Sequence, residues 1–179
     1  MTRKRLADIE AIAFSLLHKV GCLTYPVNVR EIAFAYDINV MPYAFDNEIS
    51  GVLVEKDNAF TIGLNMNHSE KRQRFTIAHE LGHYFLQHQR QGIFVDESPM
   101  KQNLILFRDS FSSTGENAQE REANAFAAAL LMPRVYIENY MIEKNVDLTA
   151  EDELETMAAD FSVSTGAMAF RLSNLRIFI

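Results

Sequence analysis

His79, Glu80 and His83 stand within one five-residue stretch, His79-Glu80-Leu81-Gly82-His83. In a helix the two histidines lie one turn apart on one face. Their imidazoles can then converge on a single tetrahedral zinc ion. Glu80 is rotated by about 100° from His79. From there it does not join as a ligand, but it can reach a water on the metal. Zinc lowers the pKa of such a water towards about 7. A carboxylate so placed is a general base for attack on a peptide carbonyl, and it can pass the proton to the leaving amine. The same five-residue pattern also arises on solvated helices. Here Phe75, Ile77, Ala78, Leu81, Tyr84 and Phe85 make nearly the whole circumference apolar, the mark of a buried helix. Buried His and Glu need partners, and a metal supplies them. Gly82 leaves room for a ligand or substrate.

A catalytic zinc takes three protein ligands and keeps a fourth position open. An extended pattern with Gly at 86 and His at 89 is not met, because those positions are Leu86 and Gln89. His88 would sit about 140° round the helix from His83 and reads as a surface or outer residue. A glutamate on a later helix serves better. The run Glu120-Arg121-Glu122-Ala123-Asn124-Ala125-Phe126-Ala127 offers two. Ala123, Phe126, Ala127, Leu130 and Leu131 mark its buried stripe. Glu122 borders that stripe, and Glu120 is placed farther round. Glu122 therefore reads as a carboxylate aimed inward, with a helix-start charge favoured by the macrodipole as the alternative. Asn124 reads as a surface polar group or a capping contact. Tyr84 reads as a core tyrosine before it reads as an oxyanion stabiliser.

The elements that must position these groups follow from periodicity and punctuation. Leu6, Ile9, Ile12, Ala13, Leu16, Leu17 and Val20 form a helical stripe over 6–20, stopped by Gly21. Asn28 can cap a short helix over 29–36. Ile38 to Tyr43 reads as a strand, at an edge because of Pro42. Ser50 to Val54 and Ala59 to Leu64 read as a hairpin around Glu55-Lys56-Asp57-Asn58. A long helix runs from the cap Ser69 to about Gln91. Beyond it Ile93–Val95 and Leu104–Phe107 suggest short strands, and 110–117 is turn-rich. Helices are expected over 120–132, 134–144, 149–161 with Thr149 as cap, and 165–174. The fold class is α+β: a small, mostly antiparallel sheet of about three strands packs on a long helix, and the second half is helical. We read 1–179 as one domain, with helices and sheet in 1–65, the site helices and an intervening loop in 69–133, and a helical segment in 134–179.

At 179 residues with 48% apolar and 23% charged side chains, the chain has material for a real core. The formal charge of −7, with only Arg3-Lys4-Arg5 and Lys71-Arg72-Gln73-Arg74 as basic runs, argues against a duplex-DNA footprint. Val163 to Leu172 is similar to the second helix of a helix-turn-helix. It carries few basic residues, however, and packing is its better reading. The single cysteine, Cys22, excludes an internal disulfide and fits a reducing compartment. The basic start and the apolar Ala11–Leu17 would suit a signal peptide, but Asp8 and Glu10 interrupt it. No run reaches membrane-spanning length, and the expected location is the cytoplasm.

Three stretches in order resemble the ImmA/IrrE-type metallopeptidases. They are Tyr25 to Ala33 with Ile49-Ser50-Gly51, Arg72 to His83, and Glu120 to Ala127 with Leu130-Leu131-Met132-Pro133. Phe161 to Ala167 with Arg171-Leu172 is similar to the family's C-terminal helical segment, so the resemblance covers roughly 6–175. It implies a zincin-like domain with a gluzincin-like site: zinc on His79, His83 and Glu122, with Glu80 as base. It also implies an endopeptidase of phages and mobile elements that acts on a specific regulatory protein, such as a helix-turn-helix repressor encoded beside it. The alternative is a non-hydrolytic regulatory or stress-response protein on the same fold. Residues 92–116 are long for the pattern and suggest a flap or hairpin. In this layout an edge strand near the site helix can take substrate as an added strand, and Ala59–Leu64 is the candidate.

Overall fold

The computed structural model describes residues 1–179 apart from 47, 58, 89–93, 98–114, 149 and 178–179, with backbone alone at 94–97, 115–117 and 151. Helix α1 (Arg3–Val20) starts where the Thr2 hydroxyl accepts from the Arg5 amide. It stops where Gly21 turns left-handed at φ 80°, a conformation glycine adopts at no steric cost. Asn28 caps α2 (Val29–Ala35) as expected, its Oδ1 accepting from Glu31 N at 3.3 Å. Three strands follow: β1 (Ile38–Tyr43), β2 (Ile49–Lys56) and β3 (Ala59–Asn65). The site helix is α3 (Glu70–Phe85).

A fourth strand, β4 (Phe94–Glu97), precedes α4 (Gly115–Leu131). Then come α5 (Arg134–Lys144), α6 (Glu151–Asp160) and α7 (Thr165–Leu175). The expected Thr149 cap, the strand over 104–107 and most of the 92–116 segment lie outside the described residues. Ala150 stands at the N-cap position of α6.

The sheet has four strands in the order β1-β3-β2-β4. Two pairings are antiparallel, β2 with β3 and β2 with β4, while β1 runs parallel to β3 from Ile38 opposite Phe60 to Tyr43 opposite Asn65. The α+β class holds, with one strand more than expected. Pro42 lies on an edge strand, which the chain tolerates because proline cannot donate to a ladder. The strand proposed to take substrate does not lie at an edge. Both sides of β3 are already paired, so its backbone groups are not open to an added strand.

Helix α3 is held close on two sides. A Cβ on Gly51 of β2 would come within 2.4 Å of Thr76 Cγ2, so the sheet reaches α3 only because that position is glycine. On the other side, a Cβ on Gly82 would stand 3.1 Å from the Ala123 Cα and 3.2 Å from Phe126 Cβ. Gly82 therefore serves the packing of α3 on α4. Arg72 donates to the Ser50 hydroxyl and Arg74 to the Val27 carbonyl, pinning the start of α3 to β2 and to the loop before α2. The core around these contacts includes Ile9, Leu17, Ile32, Ile62, Leu64, Ile77, Leu81, Phe126, Leu130 and Phe161, all fully buried.

Arg171 of α7 is buried as well. It pairs with Glu10 of α1 through its two terminal guanidinium nitrogens and donates from Nε to the Met132 carbonyl at 2.9 Å. The helix that resembles a DNA-reading element thus spends this arginine inside the fold. Among the described residues, no helix is long and apolar enough to cross a membrane.

Tyr140 of α5 donates to Asp160 at 2.9 Å. Burial, then that hydrogen bond, push its hydroxyl up to about 12. The folded chain thus holds this proton more tightly than the unfolded chain, whose tyrosine titrates near about 10. The resulting stability is complete below about pH 10 and is lost as pH rises towards 12. Below pH 10 the wild type should exceed Tyr140→Phe by about 0.5–1.5 kcal/mol. Urea unfolding at pH 8 and pH 11 should show that margin shrinking.

Candidate metal centre

Helix α3 carries His79, Glu80 and His83 with 1%, 0% and 2% of their surfaces exposed. One turn of helix brings the two imidazoles edge to face with ring centroids 4.7 Å apart, and their Nε2 atoms lie 3.0 Å apart. Helix α4 crosses α3 at Gly82 and brings a carboxylate to the same point. That carboxylate belongs to Glu120: Oε2 is 3.1 Å from His79 Nε2, and Oε1 is 3.3 Å from His83 Nε2. His79, His83 and Glu120 form a group that could hold a metal ion, with one donor atom each within 4.8 Å of the others. Two imidazole nitrogens on one tetrahedral zinc are separated by about 3.3 Å when each bond is about 2.0–2.1 Å. The donor set therefore fits such an ion with little movement. Burial pushes the Glu120 carboxyl up, but hydrogen bonds and charge from His79 and His83 outweigh it and hold it well below the usual range.

Glu122, the expected third ligand, is not part of this group. Its carboxylate points away from the paired Nε2 atoms and meets Arg5 of α1 at 2.5 Å and His88 Nε2 at 3.3 Å. The Arg5 hydrogen bond holds Glu122 below its ordinary value against the opposing pull of burial, and His88 adds to it. Helix geometry gives the reason. Glu120 precedes Ala123, Ala127 and Leu131 by three, seven and eleven residues, which places it about 20° from Ala127 around the axis. Glu122 lies about 140° from Ala127 and faces α1 and His88.

Asn124, read as a surface or capping group, and His88, for which a place just behind the ligands was one of two readings, both touch the histidines. Asn124, one turn beyond Glu120, places Oδ1 3.0 Å from His79 Nδ1. His88 places Nδ1 2.8 Å from His83 Nδ1, and its side chain is only 5% exposed. The helical estimate for His88 fails because α3 ends at Phe85, well short of Gln91. Gln87 is left-handed at φ 54° and the His88 amide bonds back to the His83 carbonyl, which folds His88 against the site. Tyr84 packs edge-on against Phe60 at 4.9 Å, the core role expected of it.

The α+β fold thus has a central helix that presents two histidines to a glutamate on a second helix, a group that could hold a metal ion. Residues 34–173 match the IrrE N-terminal-like domain, a peptidase family, and the chain belongs to that family. It is 31% identical over 126 residues to "uncharacterized immunity region protein 2" of Bacillus phage phi105, a match covering 70% of this chain and 69% of that protein. A solved Mycobacterium tuberculosis transcriptional regulator shares the fold with a TM-score of 0.63 at 17% identity. The match covers 93% of this chain but 46% of the regulator, so the chain spans about half that protein's length.

Proposed function

We propose that this protein is a zinc-dependent endopeptidase of the cytoplasm that cleaves a specific regulatory protein, such as a helix-turn-helix repressor. The observation that carries the reading is the meeting of two buried Nε2 atoms with the Glu120 carboxylate beside a fully buried Glu80. A purely structural metal site has no use for that second acid. The immunity-region name of the phage relative supports a substrate tied to phage repression.

His79, His83 and Glu120 would hold the ion. Imidazole and carboxylate donors suit zinc and also accept manganese, iron or cobalt. When bound, the metal supplies a Lewis acid that polarises the scissile carbonyl and acidifies water. Glu80 accepts the proton of the water that attacks the carbonyl carbon. It returns that proton to the amine nitrogen as the C–N bond breaks, so the carboxylate is regenerated.

The decisive variant is Glu80→Gln, which keeps the shape of the side chain and removes the base. It should retain zinc and lose about 10²- to 10⁴-fold in the rate of repressor cleavage. The assay uses a candidate helix-turn-helix repressor as the substrate. Unchanged biological activity in this variant would sink the peptidase reading in favour of a non-hydrolytic regulator.

A further inference from the structure

The two histidines of the cluster are held from behind by different means. His79 leans on the amide oxygen of Asn124. His83 leans on a second histidine, which leans on a carboxylate, which is gripped by an arginine from the first helix: His83 Nδ1 to His88 Nδ1 at 2.8 Å, His88 Nε2 to Glu122 at 3.3 Å, Glu122 to Arg5 at 2.5 Å. Arg5 lies outside the segment that matches the family, residues 34–173.

Proton bookkeeping along this chain leaves a single arrangement. An imidazole that offers its Nε2 lone pair to a metal carries its proton on Nδ1. His83 must then donate from Nδ1, and the facing Nδ1 of His88 must accept. A neutral His88 that accepts at Nδ1 carries its own proton on Nε2, which is the atom turned to Glu122. Glu122 accepts it with a carboxylate oxygen that Arg5 holds in place. Each donor meets an acceptor, so the chain selects the tautomer of His83 that leaves Nε2 free for the metal.

We propose that His88, Glu122 and Arg5 form a positioning chain that fixes the tautomer and ring orientation of His83, and that α1 is by this route a working part of the metal site. The inference rests on the metal-binding reading above. It assigns Glu122 a place behind a ligand.

The test uses the full chain. Zinc affinity is measured by competition with a chromophoric chelator, the cobalt-substituted protein is followed by its visible absorption, and the metal-free protein is melted thermally. His88→Ala and Glu122→Gln are expected to weaken zinc by about 10- to 100-fold and to shift the cobalt bands. Arg5→Ala is expected to weaken it less. The Arg5→Ala, Glu122→Gln double variant should be no weaker than Glu122→Gln alone, since both act through one carboxylate. Wild-type zinc affinity and cobalt bands in His88→Ala and Glu122→Gln would overturn the proposal, even with a lower melting temperature, because that pattern marks a merely structural contact. Independent, additive effects would remove Arg5 from the chain. A wild type that binds neither metal overturns the underlying metal reading, and with it this one.

Discussion

Replacing Glu120 by alanine should abolish stoichiometric zinc binding, while the same change at Glu122 should leave zinc bound, more weakly. The two residues stand on one helix turn and carry the same carboxylate, so their contrast isolates position. Glu120 approaches both Nε2 atoms, at 3.1 and 3.3 Å. Without it only two histidines remain, and a catalytic zinc site needs three protein ligands. The loss should exceed the roughly 10- to 100-fold that an outer partner costs. Metal analysis after gel filtration, with the Glu80→Gln protein as a zinc-retaining control, reads the outcome directly. Zinc retained in Glu120→Ala but lost in Glu122→Ala would reinstate Glu122 as the ligand.

The largest effect on stability should come from Phe126→Ala. Phe126 is fully buried on α4, beside the Gly82 crossing, and its ring stacks on Phe85 with centroids 6.0 Å apart. Truncation removes a large apolar group and leaves a cavity where α3 and α4 approach too closely to collapse further, a loss of about 3–5 kcal/mol. A domain of ordinary stability holds only about 5–15 kcal/mol in total. Urea unfolding of the metal-free protein should show the loss, and Phe126→Leu should recover much of it. The same crossing sets the distance from Glu120 to the histidines, so zinc affinity should fall together with stability in Phe126→Ala. A variant that loses stability yet keeps full affinity would show that the metal donors are placed independently of this contact.

Much of the architecture was legible wherever local signals act alone. Pro133 and the spacing after it set α5 at residues 134–144, as observed. Pro42 placed β1 on an edge, and Asn28 capped α2. Pairing partners were less legible. Alternation along a strand says which face is buried but not which neighbour it meets, so the parallel contact of β1 with β3 was not foreseen.

At the site, the two histidines were plain from their spacing. Glu120 was legible too, since its register with Ala123, Ala127 and Leu131 puts it on the buried stripe, and Asn124 follows it by one turn. Weight given to the residue nearest the apolar run favoured Glu122 instead. His88 was hidden for a different reason. The end of α3 is marked by a left-handed glutamine where glycine would have announced it, so helical angles were carried past the point where they apply.

Helix α1 is fastened through its first half to residues far along the chain, Arg5 to Glu122 and Glu10 to Arg171. During synthesis the first helix leaves the ribosome long before either anchor exists. It can be gripped on the Glu122 side only after α4 has emerged, and on the other side only once α7 follows. The contacts that back His83 are thereby completed only after α4 has emerged. Until then the segment that carries His79 and His83 lacks the outer support that α1 gives through Arg5, Glu122 and His88.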